Sequence, residues 1–80
     1  MDNYIDISID FNDFLGRQLD LRVPRTMRFK EILTIVSESY SLHLTIENPT
    51  ARIRETNELV FSTNDLSSFN DGILLLLERL

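Results

Sequence analysis

The chain has 80 residues, 42% of them hydrophobic and 26% charged, which suits one folded domain over residues 1–80 and argues against disorder. A chain this short buries only about 60% of the surface its unfolded form would expose. Its formal net charge of −5 disfavours nucleic acid or an anionic membrane as main partner, and its lack of cysteine excludes disulfides, thiolate catalysis and Cys-based zinc sites.

The stretch YIDISIDF alternates strictly, with Ile5, Ile7, Ile9 and Phe11 on one side and Asp6, Ser8 and Asp10 on the other. That is the period of a half-buried strand. NDFLG then turns the chain, with Gly16 free to take a positive φ. RQLDLRVP alternates again through Leu19, Leu21 and Val23, so the two runs predict an N-terminal β-hairpin closed by Pro24. The period changes in TMRFKEILTIVSESY. Phe29, Ile32, Leu33, Val36 and Tyr40 form one helical stripe, with Ile35 at its border and Thr26 as the expected N-cap. SLHLTIENPT is expected to be an extended connection that packs its leucines under the sheet. ARIRETNELVFS reads as a second hairpin turning near Thr56 and Asn57. A short helical turn in TNDLSSFNDG is expected to bury Leu66 and Phe69, and a last strand follows from about Ile73 to Arg79. The predicted order is β-β-α-β-β-β, an α+β fold.

Reactive side chains are sparse. His43 is the only histidine, so no multi-histidine metal set exists, and its place between Leu42 and Leu44 suits a surface or hydrogen-bonded residue. Asp6, Asp10 and Asp20 share the outer side of the first hairpin. Without calcium-loop spacing they read as a solvated acidic face, partly paired with Arg22 and Arg17. Two glycines offer no phosphate-cradling loop. The expectation is a binding module with no catalytic residue, cofactor or metal. The longest apolar run, ILLLL, is too short to span a bilayer, and the first residues lack a signal peptide's cationic, apolar character. A cytoplasmic protein is expected, reaching a membrane only through a partner.

One helix crossing behind an N-terminal hairpin, with a C-terminal strand completing the sheet, resembles the β-grasp arrangement: a mixed sheet of four to five strands and one main helix. Leu66, Ser67, Phe69 and Asn70, and the closing Arg79-Leu80, are similar to the end of ubiquitin. Across its full length the chain also resembles the YukD/EsaB family, small ubiquitin-like proteins of bacterial type VII secretion. The matching motifs are Ile7-Ser8-Ile9-Asp10-Phe11, Asp20-Leu21-Arg22-Val23-Pro24, and Asp71-Gly72 before a leucine-rich strand; the acidic residue that often follows that Asp-Gly is replaced by Ile73. The resemblance implies an accessory or regulatory component of the system exporting WXG100-type substrates, with protein partners in its machinery and no catalytic residues. Ubiquitin and the related sulfur carriers act through a flexible Gly-Gly tail. Glu78-Arg79-Leu80 does not suit that chemistry, so conjugation and sulfur carriage are expected to be absent.

The last strand is apolar on both sides. Either Ile73, Leu75 and Leu77 face the helix and Leu74 and Leu76 face out, or the register is shifted by one and the sets exchange. In both cases large aliphatic side chains reach the open face of the sheet. The expected neighbours are Arg52 and Arg54 on one side, Asp6 and Ser8 on the other. Leu74, Leu76, Arg52 and Arg54 are therefore the candidate partner-binding residues. The other possibilities are that long arginine side chains cover the leucines, or that the patch mediates self-association as a homodimer or structural assembly.

Overall fold

The computed structural model describes residues 3–80, with Asn12 and Asp13 described by their backbone alone. The elements are β1 (Tyr4–Asp10), the single turn α1 (Asn12–Leu15), β2 (Gln18–Pro24), the main helix α2 (Phe29–Ser39), β3 (Thr50–Ile53), β4 (Leu59–Phe61) and β5 (Ile73–Arg79). The strands form one mixed sheet in the order β2-β1-β5-β3-β4. β5, last in the chain, is the middle strand, parallel to β1 and antiparallel to β3.

The N-terminal hairpin follows its alternation. Ile5, Ile7 and Ile9 pair with Val23, Leu21 and Leu19, and all three isoleucines are buried. Gly16 takes the left-handed conformation, φ +64°, that ends the α1 turn. In the second hairpin Ala51 and Val60 face the core, and Asn57 supplies the left-handed residue of the turn at φ +66°.

The helix differs from expectation at both ends. Arg28, not Thr26, occupies the N-cap position, and its backbone N–H donates to the Glu31 side chain at 3.2 Å. The first two N–H groups of the helix are met by backbone from much later in the chain. Phe29 N–H donates to the Asn64 carbonyl (2.9 Å) and Lys30 N–H to that of Ser62 (3.1 Å). At the other end Tyr40 is the C-cap and lies exposed rather than in the apolar stripe. Phe29, Ile32, Leu33 and Val36 do bury against the sheet.

Residues 41–49 form no strand, and Leu42, Leu44 and Ile46 pack partly buried against the core. Buried Ser37 of α2 holds this connection. Its carbonyl accepts the Leu42 N–H (2.9 Å) and its hydroxyl oxygen the Leu44 N–H (3.0 Å). His43 is exposed, in the left-handed region at φ +55°. The segment before β5 makes turns rather than a helix; it buries Leu66 fully and Phe69 only in part. Arg25 anchors it, donating to the Phe69 carbonyl at 2.7 Å.

Candidate functional site

The phase of β5 is set where it begins. Asp71 Oδ1 accepts the Asp6 N–H (2.9 Å), and Gly72 N–H donates to the Asp6 carbonyl (2.8 Å). Gly72 itself stands at φ +84°, a conformation costly for any residue with a Cβ. From this clamp Leu75 and Leu77 turn toward the helix and are buried, with Ile73 half-buried beside them. Leu74 and Leu76 turn to the open face and are half-buried there. The first of the two registers is therefore the one adopted.

The open face is organised in cross-strand rows. Leu76 lies between Asp10 of β1 and Arg52 of β3, and Arg52 in turn pairs with Leu59 of β4. Leu74 lies opposite Ser8. Asp6 is not beside the leucines as expected, because the parallel register brings it to Gly72 and leaves Ser8 and Asp10 as their neighbours.

Arg52 is held flat in its row. Its Nε donates to Glu78 at 3.1 Å and its terminal nitrogen to the Asn57 carbonyl at 2.9 Å. Its aliphatic stem can thus shield the apolar residues on either side while the charge stays paired. Arg54 lies just past the end of β3 and is exposed; its backbone N–H donates to the Leu74 carbonyl at 3.0 Å.

Two apolar residues of this face escaped the sequence reading. Leu59 is 40% and Phe61 51% exposed, on the same side of the sheet as Leu74 and Leu76. The signal was present: with Val60 buried, alternation in ELVF sends its flanking residues outward. Together they extend the β5 leucines into an apolar band across β5 and β4, interrupted by Arg52.

The acids lie across β1 and β2 and are individually engaged. Asp6 pairs with Arg22 at 2.9 Å, and Arg22 stands 5.8 Å over the Tyr4 ring. Asp20 accepts from the Ser8 hydroxyl (2.7 Å) and from Gln18 (3.3 Å), and the Ser8 bond above all holds its carboxyl below the usual carboxylate range. Arg17 is exposed and joins none of these pairs. Among the described residues no three His, Cys, Asp or Glu side chains come close enough to hold a metal ion. None of their helices is long and apolar enough to cross a membrane.

A helix laid across one face of a five-stranded mixed sheet in this strand order is the ubiquitin-like β-grasp fold, an α+β architecture. Among solved structures it is similar to a protein designed de novo on the basis of ubiquitin, with TM-score 0.72 and 16% identity, covering 99% of this chain and 92% of that one. At that identity the likeness carries the fold alone. No family model and no curated protein matches the sequence.

Proposed function

We propose that this chain is a non-catalytic, non-conjugated ubiquitin-like adaptor, an accessory or regulatory component of a type VII secretion system of the YukD/EsaB kind. It acts in the cytoplasm through its open sheet face. The observation that carries this reading is the apolar band on that face: Leu74 and Leu76 half-buried, Leu59 and Phe61 exposed, with Arg52 between them and Ser8 and Asp10 at the border. An apolar centre rimmed by charge is the form a small protein gives to a binding surface. The assignment to secretion is supported by the motifs that resemble the YukD/EsaB family, namely Ile7-Ser8-Ile9-Asp10-Phe11, Asp20-Leu21-Arg22-Val23-Pro24 and the Asp71-Gly72 turn.

The test is an affinity capture from the native cell, washed under native and under denaturing conditions, with a Leu74→Asp/Leu76→Asp variant in parallel. The expected result is that components of the secretion machinery are held only under native conditions and are lost with the variant. Truncating either leucine to alanine is expected to weaken that complex by about 1–2 kcal/mol. Species of higher mass that survive denaturation would instead make the protein a covalent modifier.

A further inference from the structure

Asp71 and Gly72, which set the phase of β5, also carry a chemistry of their own. The chain's two glycines follow Leu15 and Asp71, so this is the one place in the sequence where glycine comes directly after an aspartate or asparagine. An aspartyl carboxyl is separated from its own main chain by a single methylene, within reach of the amide nitrogen of the next residue. Attack by that nitrogen closes a five-membered succinimide ring, and a glycine presents it with no Cβ to hinder the approach. The surroundings do not hinder it either. Nothing beyond the chain neighbours lies within 4 Å of where a Cβ would stand on Gly72, and the Asp71 side chain is 54% exposed, open to water.

The fold keeps the two reacting groups occupied. The nucleophile is taken by β1, since Gly72 N–H donates to the Asp6 carbonyl at 2.8 Å. The electrophile is taken by the same residue, since Asp71 Oδ1 accepts the Asp6 N–H at 2.9 Å, and the Arg25 guanidinium stands 3.8 Å from that oxygen. Both bonds to Asp6 use its backbone. They therefore last as long as the start of β5 stays beside β1, and both are released when it leaves.

We infer that Asp71–Gly72 is a site of spontaneous isoaspartate formation, closed by the clamp to Asp6 and opened whenever β5 separates from β1. The step needs no co-reactant except water. The Gly72 nitrogen bonds to Asp71 Cγ while the carboxyl C–O bond breaks, and the hydroxyl leaves with the amide proton as water. Water then returns to one of the two ring carbonyls. Addition at Cγ breaks the new C–N bond and restores the aspartate. Addition at the main-chain carbonyl carbon breaks the original peptide bond and leaves Gly72 joined through Cγ, which is the isoaspartate.

The product changes the turn for good. The main chain becomes one carbon longer immediately ahead of β5, and the carboxylate is now attached directly to the Asp71 Cα. The carboxylate and the Gly72 N–H no longer have the spacing that let both bond to Asp6. Pairing of Ile7 with Ile73 then loses its anchor, and with it the phase that turns Leu75 and Leu77 inward. A passing separation of the two hairpins is thus converted into a lasting one.

Isomerisation leaves the mass unchanged, so the product is counted by enzymatic methylation specific for isoaspartyl carboxylates and located by peptide fragmentation. The samples, held at neutral pH and one temperature, are the native chain, the same chain unfolded in urea, a peptide of residues 67–76 with and without urea, and Asp71→Glu in urea. The peptide and the unfolded chain are expected to convert at the same rate, and the folded chain at about a tenth of it or less, in proportion to the time the clamp spends open. Asp71→Glu, which cannot close the five-membered ring, is expected to form no product at this position. A folded chain that converts as fast as the peptide overturns the inference, and so does product at this position in Asp71→Glu. The isoaspartyl chain, separated by chromatography and returned to buffer, is expected to exchange its Asp6 and Gly72 amide hydrogens about tenfold faster than the native chain, or more. Native protection of those two amides would overturn the role given to the clamp.

Discussion

The two sides of β5 carry nearly the same residues and do opposite things. Leu75 and Leu77 are buried against the helix, while Leu74 and Leu76, their immediate neighbours, lie half-buried on the open face. Side-chain chemistry does not separate the two sets; position does. What differs is the layer above them: a helix with four buried apolar residues on one side, a single tethered arginine on the other. Identical leucines can therefore serve as core or as contact surface, and the turn that starts the strand decides which.

The largest break in that comparison should come from the inner side. Leu75→Ala leaves a cavity beneath α2 and is expected to cost about 2–5 kcal/mol, against about 1 kcal/mol or less for Leu76→Ala. Urea denaturation of the two variants side by side measures the difference; equal costs would mean that the open face is covered like a core. Next in size is the turn itself. Gly72→Ala meets no neighbouring atom, so its cost is the backbone strain of φ +84° alone, about 1–2 kcal/mol by the same measurement.

Arg52→Ala sharpens the comparison from the outer side. The ion pair with Glu78 is partly exposed, so stability should fall by only about 0.5 kcal/mol. Binding of an apolar dye should rise as Leu76 and Leu59 lose their shared cover.

The smallest effect concerns Asp20. Ser8→Ala removes the hydrogen bond that does most to depress its carboxyl, so its pKa should rise toward the ordinary carboxylate value in an NMR titration. The sign for stability follows. A depressed folded pKa stabilises the protein above the ordinary carboxylate range, and that contribution is lost as pH falls through the folded value. In the Ser8→Ala variant this acid-dependent loss should shrink. An unchanged Asp20 titration would mean that Gln18 alone suffices.

How much of this was legible in the sequence depended on whether a segment answered to its neighbours or to distant ones. β1 and β2 carry strict alternation, and their pairing with inward isoleucines followed from it. The central position of β5 was expected from the resemblance to the β-grasp arrangement, and the sheet order has it there. Its phase was not, because ILLLL has no polar residue to mark a face. That information sits in Asp71 and Gly72, through bonds to Asp6. The N-terminus of α2 was misread for a similar reason. Thr26 is a good capping residue type, but the first N–H groups are met by carbonyls of Ser62 and Asn64. The open-face band was half found: Leu74, Leu76 and Arg52 lie together on it, whereas Leu59 and Phe61 stood unnoticed in a short strand whose alternation spans three residues.

The placement of β5 has a consequence for how the protein is made. Among the described residues β1 pairs with β2 and β5, and β3 with β4 and β5, so the two hairpins share no strand until β5 arrives. A chain emerging from the ribosome can form each hairpin and the helix, but it cannot join them while its middle strand is still inside. Ile5, Ile7, Ile9 and Ile53 then wait with unsatisfied edges beside them, in the state where nascent chains are most open to chaperones and to mispairing. Closure depends on contacts between residues as distant as Ile7 and Ile73, so folding is expected to be slow for a domain of this size and to complete only after the last strand is released.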